Sequence, residues 1–266
     1  MRYLYLYLEI VLYIITGIFY FVVFSGYKYV PLLEKKIDNE IKTPLFKDIL
    51  FFGIFALAIL LVFFIWFRFF PGQTHRLGYF LVFLPGSVVV IAFMRKWVRR
   101  ADLVLCIPGM IVVWLFLLLF ESILLTNNAG WIYTGSTVYS LHIGPHVEII
   151  LENLIYFYLI SPFVSVLIFT GIAYNRSDKA AFWITNALLW IGGVVWEYAG
   201  IGIFNLWYMI ENRSILPFSL FNARTTIEEM LYYVPFASIS ILMYLKLYYR
   251  KYKLLSPAPK DKTNES

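Results

Sequence analysis

Long uninterrupted runs of apolar residues, rather than an alternation of apolar and polar positions, set the pattern of this chain. Seven runs stand out, at 4–25, 49–70, 78–94, 103–125, 148–172, 181–204 and 226–248, and the stretches between them collect most of the Lys, Arg and Asn residues. Each run is close to the roughly 20 residues that a helix needs to cross a bilayer core. A continuous apolar run predicts a membrane helix and not a barrel strand, whose outward and inward positions alternate. The expected fold is therefore all-α: a polytopic membrane protein of about seven transmembrane helices. No small-residue cleavage site follows the first run, which reads as an anchor and not as a removed signal peptide.

Composition agrees with that reading. The 266 residues are 61% hydrophobic and 20% aromatic, with mean hydropathy +0.76. A soluble core of this length does not call for so much apolar surface. Cys106 is the only cysteine, which excludes an intrachain disulfide. The formal net charge of +6 is accounted for by where the cations fall. With the N-terminus outside, seventeen of the 22 Lys and Arg residues lie in the inner loops and the C-terminal tail, and Arg2, Arg68, Arg76, Arg213 and Arg224 remain outside. The positive-inside rule then gives a multi-pass cell-membrane protein with its N-terminus out and its C-terminus in the cytoplasm. The basic residues flank the spans and line no aromatic groove, so no nucleic-acid partner is expected. Residues 251–266 read as a disordered cytoplasmic tail.

Within the apolar pattern the polar exceptions recur at one offset. Trp114, Glu121, Trp131, Glu152 and Tyr156 are repeated 76 positions later by Trp190, Glu197, Trp207, Glu228 and Tyr232. The topology puts Glu121 and Glu197 near the outer ends of the fourth and sixth spans, and Glu152 and Glu228 near the outer starts of the fifth and seventh. Trp114 and Glu121 are seven apart and share a helix face, as do Trp190 and Glu197. Glu152 and Tyr156, Glu228 and Tyr232, and Glu229 and Tyr233 are each four apart, which sets an aromatic one turn from each carboxylate. Taken singly, an aromatic at a membrane boundary is an interface anchor, and an acid at a helix start is favourable with the helix dipole. Neither role requires a matching partner at a fixed offset. Glu9, in the first span, has no such partner and reads as an interhelical hydrogen-bonding residue.

A carboxylate inside a membrane span is costly and marks a functional site by default. Acids and aromatics together suit carbocation chemistry. A neutral carboxylic acid protonates an alkene, and burial is what keeps a carboxyl neutral. Aromatic faces then stabilise the cation by about 0.5–2 kcal/mol each, and exclusion of water prevents its quenching. His142, His146, Glu148 and Glu152 invite a metal reading. The spacing lacks an H-E-x-x-H motif, and the expectation is no metal. Pro108 and Gly109 are expected to kink the fourth span.

At these residues the chain resembles the integral-membrane lycopene cyclase domain, which occurs as paired small subunits in some bacteria and as a tandem fusion in archaea and fungi. That family shows, twice, an apolar helix ending in Trp-Asp, a Gly-Trp-x-Tyr loop, and Pro-x-Glu-Glu-x-x-Phe-Phe opening the next helix. The second copy here has Trp196-Glu197, then Trp207-Tyr208, then Thr226-Ile227-Glu228-Glu229-Met230-Leu231-Tyr232-Tyr233. The first has Phe120-Glu121, then Gly130-Trp131-Ile132-Tyr133, then Leu151-Glu152-Asn153-Leu154-Ile155-Tyr156-Phe157, with Glu148 after Pro145 as an alternative to Glu152. Tyr79–Pro85 is similar to the family's opening helix. Glutamate replaces aspartate at 121 and 197, so the resemblance is to a divergent member.

The resemblance implies a two-helix extension at 1–77, cyclase-like repeats at 78–174 and 175–250, and the tail. It implies cofactor-independent cyclisation of the linear end group of lycopene or a related carotenoid to a β-ring. Glu228 or Glu229 would donate the proton, with Glu152 as counterpart. Glu121 and Glu197 would orient the acids, act as base or stabilise charge. Trp131, Trp207, Tyr156, Tyr232, Tyr233, Trp114 and Trp190 would line the polyene end. No cofactor is expected, and no G-x-G-x-x-G dinucleotide fingerprint follows a strand. The partners are a lipophilic carotenoid and membrane lipid, with self-association left open. Other readings of the same acids are a C50 carotenoid cyclase or a hydratase, a transporter with intramembrane carboxylates, and a non-catalytic membrane partner.

Overall fold

The computed structural model describes residues 4–26, 61, 65, 102–126, 131–133, 140–143, 147–150, 160–173, 176–203, 207–209, 217–220 and 223–255. The expected spans at 49–70 and 78–94 lie almost wholly outside these, as do Glu152 and Tyr156. The described fold is helical. Its five α-helices are α1 (Leu4–Gly26), α2 (Cys106–Thr126), α3 (Ser161–Ala173), α4 (Asp178–Glu197) and α5 (Ile227–Leu255). A 3-10 turn, Leu103–Leu105, leads into α2, and a π-helical segment, Tyr198–Ile203, continues α4. Short strands occupy the connections: β1 (Trp131–Tyr133), β2 (Ser140–Ile143), β3 (Val147–Ile150), β4 (Trp207–Met209), β5 (Pro217–Leu220) and β6 (Ala223–Thr226).

Helix α5 is the centre of the bundle and packs against α1, α2, α3 and α4. Its buried face, with Ile241, Leu242, Tyr244 and Leu245, meets Val166, Phe169 and Ile172 of α3, Ala181 and Phe182 of α4, and Cys106 of α2. Polar side chains inside this core bond locally. The Ser240 hydroxyl donates to the Phe236 carbonyl at 3.0 Å, and Asn186 Nδ2 to the Phe182 carbonyl at 2.8 Å. A buried bond also crosses between helices, from Ser238 Oγ to Asn186 Oδ1 at 2.7 Å. A satisfied buried polar pair of this kind fixes the rotation of one helix against its neighbour.

The outer surface is apolar. Ile10, Ile14 and Ile18 of α1 are exposed at four-residue spacing, and so are Ile107, Ile111, Leu115 and Leu119 of α2. Such stripes exceed what water tolerates on a soluble monomer and match a lipid-facing surface. Residues Leu6–Ser25 and Leu103–Leu124, with mean hydropathy 2.2 and 2.9, are each long and apolar enough to cross a membrane.

Several expected boundaries move. Val147–Ile150 is extended, so Glu148 sits in β3 and not at a helix start. The last helix runs seven residues beyond Tyr248, carrying Arg250, Lys251 and Lys253. Pro108 falls in the first turn of α2, where its missing N–H would have had no helical acceptor, so no kink is required there. Gly109 instead serves close packing: an added Cβ would stand 3.3 Å from the Ser240 carbonyl oxygen and 3.6 Å from the Met243 Cβ. Gly109→Leu is therefore expected to push α2 off α5 and lower stability by about 1–3 kcal/mol. Thermal unfolding of the detergent-solubilised protein measures it, and an unchanged midpoint would contradict the close approach.

Candidate active site

The site is a matter of register between helices. At one end of the bundle, the Asp102 amide before α2 donates to the Tyr244 hydroxyl at 3.3 Å, and Lys251 pairs with the Asp102 carboxylate. Beside them the Tyr249 hydroxyl donates to Asp178, the first residue of α4. Ser177 caps that helix by accepting from the Ala180 N–H. The starts of α2 and α4 thus both meet the end of α5. Both helices run antiparallel to α5 and finish beside its first turn.

Counting along the helices brings the glutamates to one level. Gly109 lies against Ser240; twelve residues onward in α2 is Glu121, and twelve back in α5 is Glu228. Asn186 lies against Ser238; eleven residues onward in α4 is Glu197, and eleven back in α5 is Ile227. Both counts use the same rise of about 1.5 Å per residue. Contact between the Phe120 and Phe236 rings, centroids 5.8 Å apart, closes the α2–α5 seam just inside this level. Glu121 is 0% exposed and Glu197 is 1% exposed. Both point into the bundle, away from the apolar outer surface.

Glu228 and Glu229 occupy the first turn of α5, followed by Tyr232 and Tyr233 in its second. The structure describes their backbone, and their side chains lie outside the described residues. Trp131 and Trp207 are brought into one sheet: β1 pairs antiparallel with β4, with Trp131 opposite Met209 and Tyr133 opposite Trp207. β3 contacts α2, and β6 contacts both β4 and the π segment before running directly into α5. The strands therefore gather at the carboxylate end. Their positions keep the sequence offset, since β1 and β4 start 76 residues apart, as do β3 and β6. β2 pairs with β3 and β5 with β6, and the second hairpin loop is one residue shorter than the first. Register sets His142 opposite Glu148.

The tryptophans one heptad below the acids differ from each other. Trp114 is half-buried in α2, whereas Trp190 is 40% exposed on α4 beside the exposed Ile191. The site has one feature the repeat does not contain. Glu9 of α1 is only 2% exposed, and the Tyr13 hydroxyl, one turn further along, donates to the Leu231 carbonyl of α5 at 2.8 Å. Stepping four residues back from each partner sets Glu9 level with Ile227. Three buried glutamates from three helices thus share one layer with the first turn of α5. The signal for Glu9 in the sequence is its position as a lone carboxylate inside an apolar span. The π segment directly after Glu197 is a distortion of a kind that concentrates at functional sites. No protein-family model, no curated protein and no solved structure matches the chain.

Proposed function

We propose that this chain is a multi-pass membrane enzyme that cyclises the linear end group of lycopene or a related carotenoid to a β-ring without a cofactor. The carrying observation is the layer itself: Glu121 and Glu197, 76 positions apart, are both buried, and counting along the helices sets them level with the first turn of α5, whose sequence includes Glu228 and Glu229. The surrounding bundle surface is apolar, which suits delivery of a hydrocarbon from lipid. The recurrence of strands at the same offset supports reading 78–174 and 175–250 as a tandem duplication.

The reaction is a proton-neutral isomerisation. An acid of the layer, Glu228 or Glu229, gives its proton to the terminal double bond of the end group. The neighbouring double bond attacks the tertiary cation and closes a six-membered ring. A second carboxylate, Glu121, Glu197 or Glu152, takes a proton from the ring carbon next to the new cation. One proton enters and one leaves, so neither redox nor metal chemistry enters the balance. Aromatics beside the layer stabilise the cation more strongly than the neutral alkene, which is the condition for acceleration. An ion carrier built on the same acids needs polar stations at successive depths. Among the described carboxylates, those inside the bundle share one level.

Pigment analysis tests the reading. Cells that accumulate lycopene are given this chain or its Glu228→Gln/Glu229→Gln variant. A monocyclic or bicyclic carotene that forms with the first and not the second establishes the activity and assigns the acid to α5. Unchanged lycopene with the folded protein in the membrane overturns it. A hydroxylated acyclic product would redirect the assignment to hydration of the same cation.

A further inference from the structure

Helix α1 lies outside the segment that carries the cyclase resemblance, yet its Tyr13 makes a hydrogen bond to the front of α5. The reason is a proline. Pro235 lies inside α5 and has no N–H. The group left without its helical donor is the carbonyl four residues earlier, Leu231. A membrane helix tolerates such a gap only when a neighbour supplies the missing partner. The Tyr13 hydroxyl supplies it, donating to Leu231 O at 2.8 Å. Tyr13 is half-buried on the face of α1 that also buries Glu9 and Thr16. Further along, Lys246 of α5 stands over the Phe19 ring at 5.5 Å from its centroid. These two contacts run in the same direction along both helices, so α1 and α5 are parallel and joined along their length.

We propose that Tyr13 is a positioning residue for the acid-bearing turn of α5: it bridges the Pro235 gap and so holds Glu228 and Glu229 in the carboxylate layer. Without it, the turn between residues 228 and 235 hinges about an unsatisfied carbonyl. The catalytic consequence rests on the cyclase reading; the mechanical one does not. Positioning also explains why an extension outside the repeats is packed so closely against the last helix, and it places Glu9 in the layer by the same contact.

The test is a four-protein cycle: the parent chain, Tyr13→Phe, Pro235→Ala and the double variant. Pro235→Ala returns an N–H to position 235, so Leu231 O regains a partner within its own helix and no longer needs the tyrosine. Deuterium exchange of the 228–240 backbone in nanodiscs is read first and requires no substrate. Tyr13→Phe is expected to speed exchange there about fivefold, the worth of one hydrogen bond, and to have no effect when residue 235 is alanine. Lycopene turnover in proteoliposomes is read second. Tyr13→Phe is expected to lower kcat about tenfold with KM within twofold, and Pro235→Ala is expected to remove that sensitivity. Equal effects of Tyr13→Phe in both backgrounds, or none in either, overturn the inference. If the parent chain turns over no lycopene but the exchange cycle shows the coupling, the cyclase reading fails and the bridge stands.

Discussion

If the proposed cyclase function holds, Glu121→Gln and Glu197→Gln are each expected to lower carotenoid cyclisation by about 10²–10⁴-fold while the protein still folds. Glutamine keeps the length and planarity of the side chain and most of its hydrogen-bonding capacity, so the buried sites at 0% and 1% exposure stay filled. What it removes is the ability to take up or release a proton. A structural role makes the opposite prediction. There, loss of a buried polar interaction costs about 1–3 kcal/mol of stability, and conversion falls only as the folded fraction falls. Initial rates per folded enzyme, set beside thermal midpoints, separate the two. If both acids serve the one reaction, the double variant is expected to be little worse than the poorer single one, as for groups acting as a unit. Glu→Asp at either position retains a proton-transfer group and is expected to keep measurable turnover. If both glutamines convert substrate at the parent rate, these two acids have no part in the chemistry and the layer is an architectural feature.

What was legible in the sequence divides along a physical line. Glu121 and Glu197 stand out in the sequence because an acid in an apolar helix is expensive, and an expense repeated at one offset needs a cause. The helices α1, α2, α4 and α5 follow from long continuous apolar runs, which outlast the length of ordinary strands. The strand pairs did not show, since three- or four-residue segments such as Trp131–Tyr133 are too short to carry an alternating pattern, and their pairing with Trp207–Met209 is a contact across 76 residues. Glu148 read as helical because its neighbours are apolar, yet the hairpin with His142 holds it extended. The link between Tyr13 and Leu231 spans 218 positions and depends on a proline that removes a donor, which hydropathy does not record. Glu152 and Tyr156, two of the five residues in the first copy's signature, lie outside the described residues, so the repeat's inner symmetry rests on the sequence and on the strand positions.

The largest effect on stability is expected at the far end of the bundle, from Tyr244→Ala. Tyr244 is fully buried in the C-terminal half of α5, packs on Tyr248 with ring centroids 5.8 Å apart, and accepts from the Asp102 N–H that precedes α2. In lipid, removing a ring gains little penalty from transfer, because the surroundings are as apolar outside the bundle as within it. The cavity is then the deciding cost: the ring's contacts with its neighbours in the α5 core have no replacement, and the loss is about 2–4 kcal/mol. Tyr244→Phe separates the two functions of the side chain. It keeps the ring and leaves the Asp102 N–H without its acceptor, so it is expected to cost about 1 kcal/mol. The neighbouring Lys251–Asp102 pair is half-exposed on the lysine side and contributes little by itself. The expected order of thermal midpoints is therefore parent, Tyr244→Phe, Tyr244→Ala, with the second step the larger. This end of the bundle also sets the register from which Glu121 and Glu197 reach the carboxylate layer, so Tyr244→Ala should lower turnover per folded enzyme as well as stability, whereas Tyr244→Phe should leave turnover near that of the parent. Equal losses of turnover in the two variants would mean that the hydroxyl contact, and not the packing of the ring, fixes α2 against α5.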